Sequence, residues 1–319
     1  MTAAPLPTPR HFLGVDDVTA AEFIDLLDLA DRLKDERAAR FAARADMARD
    51  DLRGRTVALV FEKPSTRTRV SFQVAVTELG GEPLPLSSAE LQLGRGETIA
   101  DTAAVLSRYV HAIVIRTFGQ DRIAELAANA SVPVVNALTD LEHPCQALAD
   151  LQTLRGAWGG LEGRTLTYVG DGNNVAHSLL LAGAKVGMHV RVAHPEGFAP
   201  AGEIMDRARD HAASSGAEVS ATTDVEAAVD GADALYTDVW ASMGQEDEAA
   251  ARLQVFAPYQ VTPELMARAA DDAVFLHCLP AHRGEEVAAE VIDSPASKVF
   301  DQAENRLHAQ KALLATLLT

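Results

Sequence analysis

Residues Ser65-Thr66-Arg67-Thr68-Arg69 crowd hydroxyl and guanidinium donors into one short segment, directly after an apolar run and before a helical pattern. A strand running into a helix N-terminus leaves backbone N–H groups unpaired and presents the positive end of the helix dipole. Hydroxyls of Ser65, Thr66 and Thr68 and the fork of Arg67 add donors around a single anion, so phosphate binding is the chemistry expected there. The segment is not a Walker loop, because it has neither the Gly-rich element nor the Lys-Ser/Thr pair. A second candidate is Gly170-Asp171-Gly172-Asn173-Asn174, again between a strand and a helix. A dinucleotide site would need a third Gly at Val175 and an acidic residue closing the strand His189–Ala193, and both are missing. Asp238 falls just after an apolar run, at the sheet edge where open α/β folds hold ligands. Cys278 lies between His277 and Leu279, with His282 nearby. A nucleophilic thiol or a metal site with His277 and His282 is conceivable, but no paired Cys supports it, and a buried structural Cys is the alternative.

The elements that must position these groups alternate through the chain. Strands are expected at Thr56–Phe61, Pro83–Leu86, Ala112–Arg116 and Val132–Asn136, with a helical pattern at Val70–Leu79. Thr19 with Glu22 forms a capping box ahead of Phe23, Leu26, Leu27, Ala30 and Leu33 at helical spacing. A helix from about Pro144 to Trp158 leads into Gly159-Gly160-Leu161-Glu162-Gly163, the best linker candidate. Beyond it, strands are expected at Thr165–Val169, His189–Ala193, Glu218–Ala221, Ala234–Thr237 and Val274–Leu276. Helices are expected near Val175–Val186, Ala201–Ser214 and Thr262–Ala270, and Ala303–Leu318 form a last amphipathic helix. Such alternation implies parallel sheets covered by helices.

A chain of 319 residues can form two ordinary α/β domains, and its apolar fraction of 48% and charged fraction of 23% are those of a globular protein. The net charge of −18 argues against a nucleic-acid partner and gives no long-range steering of an anionic substrate. Any phosphate site must therefore be a local concentration of Arg and backbone N–H groups. No apolar stretch suits a membrane, and the opening MTAAPLPTPRHFLG lacks the pattern of a signal peptide. With only Cys145 and Cys278, a reduced cytoplasmic setting is expected.

Together with His143-Pro144-Cys145-Gln146, the Ser65–Arg69 segment resembles the aspartate and ornithine carbamoyltransferase family. The blocks Asp238-Val239-Trp240-Ala241-Ser242-Met243-Gly244 and His277-Cys278-Leu279-Pro280 look like its ornithine branch, and the blocks keep the family's order from about residue 10 to the C-terminus. The resemblance implies two doubly wound α/β domains joined by helices, each with a central parallel sheet. Residues 1–149 would bind carbamoyl phosphate, 150–301 would bind ornithine, and 302–319 would form a C-terminal helix returning to the first domain. It implies carbamoyl phosphate contacts from Ser65, Thr66, Arg67, Thr68, Arg116, His143, Gln146, Cys278, Leu279 and Arg306. Gln92 would complete the site of a neighbouring subunit, in a trimer or a multiple of trimers. Asn174, Asp238, Ser242 and Met243 would bind the amino acid, with Asp238 on its α-ammonium. Cys278 would face the attacking δ-amine, and Arg116 and His143 would act on the reacting carbonyl. The implied reaction is transfer of the carbamoyl group to ornithine, giving citrulline and phosphate, without metal, organic cofactor or covalent intermediate. Arginine biosynthesis is the expected setting rather than catabolism. The alternatives are another amine acceptor (putrescine, N-acetylornithine or aspartate) and a non-catalytic homologue.

Overall fold

A computed structural model describes residues 9–87, 96–241 and 249–319. Gln92, Ser242 and Met243 lie outside the described residues. The chain divides into two compact units: the described residues up to Cys145 together with Arg306–Thr319, and Gln146–Asn305.

In the first unit, α1 (Ala20–Ala42) precedes β1 (Thr56–Phe61), α2 (Thr66–Glu78), β2 (Glu82–Ser87), α3 (Ile99–Leu106), β3 (Ala112–Arg116), α4 (Gln120–Asn129) and β4 (Val134–Leu138). The four strands make a parallel sheet of order β2-β1-β3-β4. The near-continuous apolar runs of β1 and β3 suit strands covered on both faces, and Val57 through Phe61 and all of β3 are buried. β2 carries Pro83 and Pro85, which cannot donate to a ladder, and it accordingly takes the edge, paired to β1 alone. Ala58, Val60, Ile113, Ile115, Ile123, Leu126 and Val134 form the core between this sheet and its helices.

The second unit begins within α5 (Pro144–Trp158) and continues through β5 (Thr165–Val169), α6 (Asn174–Lys185), β6 (His189–Ala193), α7 (Gly202–Ser215), β7 (Val219–Thr222), α8 (Val225–Val229) and β8 (Ala234–Thr237). It is completed by α9 (Ala249–Phe256), α10 (Pro263–Met266), β9 (Val274–His277), α11 (Ala289–Ile292) and the start of α12 (Val299–Leu318). Its five strands are also parallel, in the order β7-β6-β5-β8-β9. Val169, Leu235, Val261, Phe275, Val287 and Val291 centre its core.

Several expectations shift. β4 starts at Val134 and reaches Leu138, because the ladder opens with the Pro133 carbonyl accepting from Ile113 N and a bulge at Ile115/Arg116 brings Arg116 opposite Leu138. α10 stops at Met266 instead of running to Ala270. The Arg268 carbonyl accepts from Gly231 N and Ala270 N donates to the Ala232 carbonyl, so these groups serve a neighbouring turn. The Gly159–Gly163 stretch joins α5 to β5 inside the second unit. α5 belongs there because Gln302 Nε2 donates to Asp150 at 2.7 Å and Asn305 Nδ2 donates to Thr153 at 2.8 Å.

α12 begins four residues before the expected Ala303, and from Arg306 onward it joins the first unit. There Lys311 Nζ meets Glu78 of α2 at 2.8 Å. No described helix is long and apolar enough to cross a membrane.

Candidate active site

Each sheet reverses its winding once, between β1 and β3 in the first unit and between β5 and β8 in the second. Ligands of open α/β sheets gather outside the carboxyl ends of strands at such switch points. Ser65, Thr66, Arg67, Thr68 and Arg116 lie at or just after the carboxyl ends of β1 and β3, and Asn174 and Asp238 just after those of β5 and β8.

In the first unit, Ser65 takes an extended conformation (φ −163, ψ 113) and caps α2, so Thr66, Arg67 and Thr68 are the first three helical residues. That first turn has no acidic residue, and the positive end of the helix is uncompensated by its own side chains. Thr68 is buried, and its hydroxyl receives a hydrogen bond from Arg306 Nη2 of α12. Arg116, the last residue of β3, is 9% exposed, and His143 is 4% exposed. Burial pushes the His143 imidazole well below its usual range, and the charges of Arg306 and then Arg116 push it further. His143 is therefore a neutral ring among cations, able to donate one N–H without adding charge. Cys145, two residues on, is no nucleophile. Burial raises its thiol to about 12, and Sγ sits 3.2 Å from the Asn136 carbonyl.

In the second unit, Asp238 follows β8 and is 7% exposed. One carboxylate oxygen accepts from Val239 N at 2.8 Å and from the Cys278 thiol at 3.0 Å. The other accepts from Asn173 Nδ2 at 3.2 Å. Asn173 also caps α6, its Oδ1 accepting from Val175 N and Ala176 N, which makes Asn174 the first residue of that helix. Burial raises the Asp171 carboxyl above its usual range despite a 2.7 Å bond from Arg252, and the Asp238 charge adds to the rise. The second unit's switch point is thus acidic, whereas the first unit's is cationic. Gly172 is small for a packing reason: a Cβ there would lie 2.3 Å from the backbone N of Pro200.

Residues 10–156 match the family model "Aspartate/ornithine carbamoyltransferase, carbamoyl-P binding domain", and residues 162–317 match the "Asp/Orn binding domain" of the same family. An ornithine carbamoyltransferase of Parafrankia sp. (strain EAN1pec) is 60% identical over 98% of this chain and 96% of its own length. One from Acidothermus cellulolyticus is 59% identical over 97% and 96%. The solved ornithine carbamoyltransferase of Pyrococcus furiosus superposes with a TM-score of 0.92 at 50% identity, covering 99% of both chains. The chain belongs to the aspartate/ornithine carbamoyltransferase family.

Within this family fold the structure gathers Thr66, Arg67, Thr68, Arg116, His143 and Arg306 in the first unit, and Asn174, Asp238, Cys278 and Leu279 in the second. Gln146 falls in the second unit as well, where its Nε2 donates to Asp150 at 2.7 Å. Asp238, His277 and Cys278 are close enough to hold a metal ion. However, His277 is committed elsewhere: its Nδ1 accepts from Leu279 N at 2.8 Å and its Nε2 faces Glu286 at 3.1 Å. Sequence reasoning missed three residues. It read Asn173 as a plain turn, and it did not single out Arg252, which bonds Asp171 and the Trp240 carbonyl, or Glu286. The short separation of His277 from Glu286 was the only available signal, and it is a weak one.

Proposed function

We propose that this chain is an ornithine carbamoyltransferase, converting carbamoyl phosphate and L-ornithine to L-citrulline and phosphate. Acceptor choice rests most on one observation: Asp238, buried behind β8 and bonded to the Cys278 thiol and Asn173, makes the acceptor end acidic. Such a pole attracts a diamino acid and repels the dicarboxylate aspartate. Full-length relatives that are 60% and 59% identical carry the ornithine carbamoyltransferase name, which favours ornithine over putrescine or N-acetylornithine.

Phosphate oxygens would take the backbone N–H groups at the start of α2, the hydroxyls of Ser65, Thr66 and Thr68, and the Arg67 fork. The carbonyl oxygen would meet Thr68, Arg116 and neutral His143. Attack by the amine places negative charge on that oxygen, and donors already in position stabilise it without reorganising. Gln146 and the Leu279 carbonyl would hold the carbamoyl nitrogen. Asp238 would pair with the ornithine α-ammonium, assisted by Asn174, Ser242 and Met243, while Cys278 orients the δ-amine. A free alkyl ammonium has a pKa of roughly 10, and leaving water lowers it, so the bound amine can shed its proton. The tetrahedral intermediate collapses as the C–O bond to phosphate breaks, and the departing phosphate takes the proton. Orienting the two reactants can account for on the order of 7–11 kcal/mol of the barrier reduction. No step calls for a metal or organic cofactor. The reading extends to a trimeric cytoplasmic enzyme of arginine biosynthesis, with Gln92 reaching a neighbouring subunit.

Steady-state citrulline formation tests the proposal. Ornithine should be carbamoylated faster than aspartate, putrescine or N-acetylornithine, and faster turnover of any of these three would overturn the acceptor assignment. Arg67→Ala should lower kcat/KM by about 100-fold or more, the typical cost of a lost anion-stabilising donor. Retention of most activity would remove the phosphate role from the α2 N-terminus.

A further inference from the structure

Behind Cys278 and Leu279 lies a buried pair that the reaction scheme does not use. His277, the last residue of β9, and Glu286 are both 0% exposed. The Leu279 N–H points at His277 Nδ1 at 2.8 Å, so Nδ1 is the acceptor and the ring proton sits on Nε2. That N–H is directed at Glu286 Oε1, 3.1 Å away, and the same oxygen accepts from His282 N at 2.6 Å. Glu286 Oε1, already the acceptor for the His282 N–H, is the acceptor for the ring as well, and so selects the tautomer that leaves Nδ1 open to Leu279. Either the other tautomer or an imidazolium would set two N–H groups against each other. The pair is anchored at its backbone as well: His277 N donates to Gln302 Oε1 at 3.0 Å, and Gln302 in turn bonds Asp150 and Tyr236.

Leu279 requires such support. Its φ of +60 lies in the left-handed region, which is unfavourable for a residue with a Cβ. A hydrogen bond from its own N–H to a buried ring restrains that conformation. Cys278 precedes it, with its thiol 3.0 Å from Asp238 Oδ1.

We infer that Glu286 is a positioning residue for carbamoyl transfer: through the His277 ring it holds the Leu279 amide, and thereby sets where the Leu279 carbonyl and the Cys278 thiol point. The inference rests on the proposed ornithine carbamoyltransferase reading for what those two groups do. The relay itself can be read without turnover.

Two measurements on the full-length protein, with Glu286→Ala and Glu286→Gln beside the wild type, test it. The Gln side chain can place Oε1 where both N–H groups need it, whereas Ala removes the acceptor. In citrulline assays Glu286→Ala should lower kcat by on the order of 10- to 100-fold, the scale of a misplacement of about 1 Å, while KM for carbamoyl phosphate, held mainly by the α2 donors, rises by a smaller factor than kcat falls. Glu286→Gln should recover kcat to within about threefold of wild type, since one neutral acceptor replaces a charged one. In parallel, iodoacetamide labelling followed by mass spectrometry reads the thiols separately, because Cys278 is partly exposed and Cys145 is buried. The Cys278 rate should change at least about threefold in the Ala variant and return toward wild type in the Gln variant, as expected when a small loop shift alters thiol access. Unchanged kcat and unchanged labelling in Glu286→Ala would overturn the inference. So would a loss in which kcat, carbamoyl phosphate affinity and melting temperature all fall together and Gln rescues none of them, because that marks a purely structural role. A wild-type protein inactive on ornithine, with Cys278 labelling still responsive to Glu286→Ala, would overturn the functional reading and leave the relay standing.

Discussion

At the residue scale, His143 shows how burial and neighbouring charge determine what an imidazole can do. It is 4% exposed beside the charges of Arg306 and Arg116, and its pKa is held well below 6.5. In the unfolded chain the same ring gains a proton as pH falls through about 6.5, while in the folded protein it does not. The unfolded state then binds more protons, so His143 leaves stability intact above about pH 6.5 and erodes it below. One group of this kind contributes a slope of up to about 1.4 kcal/mol per pH unit. Urea unfolding at a series of pH values should show a shallower loss for His143→Gln than for wild type between about pH 6.5 and 5. Parallel curves would mean that His143 is protonated in the fold and would refute its role as a neutral donor. Thr68, Arg116, His143 and Arg306 were singled out through the family resemblance, and the fold sets all four in the first unit. Asn173, Arg252 and Glu286 were not, because their meaning lies in contacts such as Asn173 with Asp238, 65 residues away.

At the scale of elements, what local chemistry dictates was legible, and what it does not dictate was less so. The Thr19–Glu22 capping box is present, with Glu22 N donating to Thr19 Oγ1 at 3.2 Å and Thr19 N donating to Glu22 at 2.8 Å. The Thr19 backbone bond, then Arg10 and the Thr19 hydroxyl, lower the Glu22 carboxyl to about 2. Thr19→Ala should destabilise the protein by about 1 kcal/mol in a denaturant titration and leave citrulline turnover per folded molecule unaltered. An unchanged unfolding midpoint would show that α1 is held by packing alone. Near-continuous apolar runs identified β1 and β3. The extent of β4 and α10 could not be read the same way. In both, a hydrogen bond to a distant segment decided whether the regular ladder went on, and neither partner is near in sequence.

At the scale of the whole molecule, α12 ends the chain inside the unit that began it. Lys311 is 3% exposed and bonds Glu78 at 2.8 Å, and Arg37 of α1 bonds the same carboxylate at 2.9 Å. Removing one partner of a buried pair strands the other charge. Lys311→Met should cost roughly 3 kcal/mol in denaturant unfolding, and adding Glu78→Gln should restore a large part of it. Additive losses in the double variant would show that the two residues do not act as a pair. The sequence by itself determined the two alternating α/β patterns, the strand-to-helix junction at Ser65–Arg69 and the blocks that mark the family, because these depend on periodicity, caps and residue type within a few positions. Only the tertiary structure decided the strand orders that place β1 beside β3 and β5 beside β8. It alone brought Arg306 to Thr68 across 238 positions, set Cys278 on Asp238, and put Glu286 behind His277. Pairing between parallel strands and burial of charge are settled by competition among many distant partners, and no short stretch of chain records that outcome.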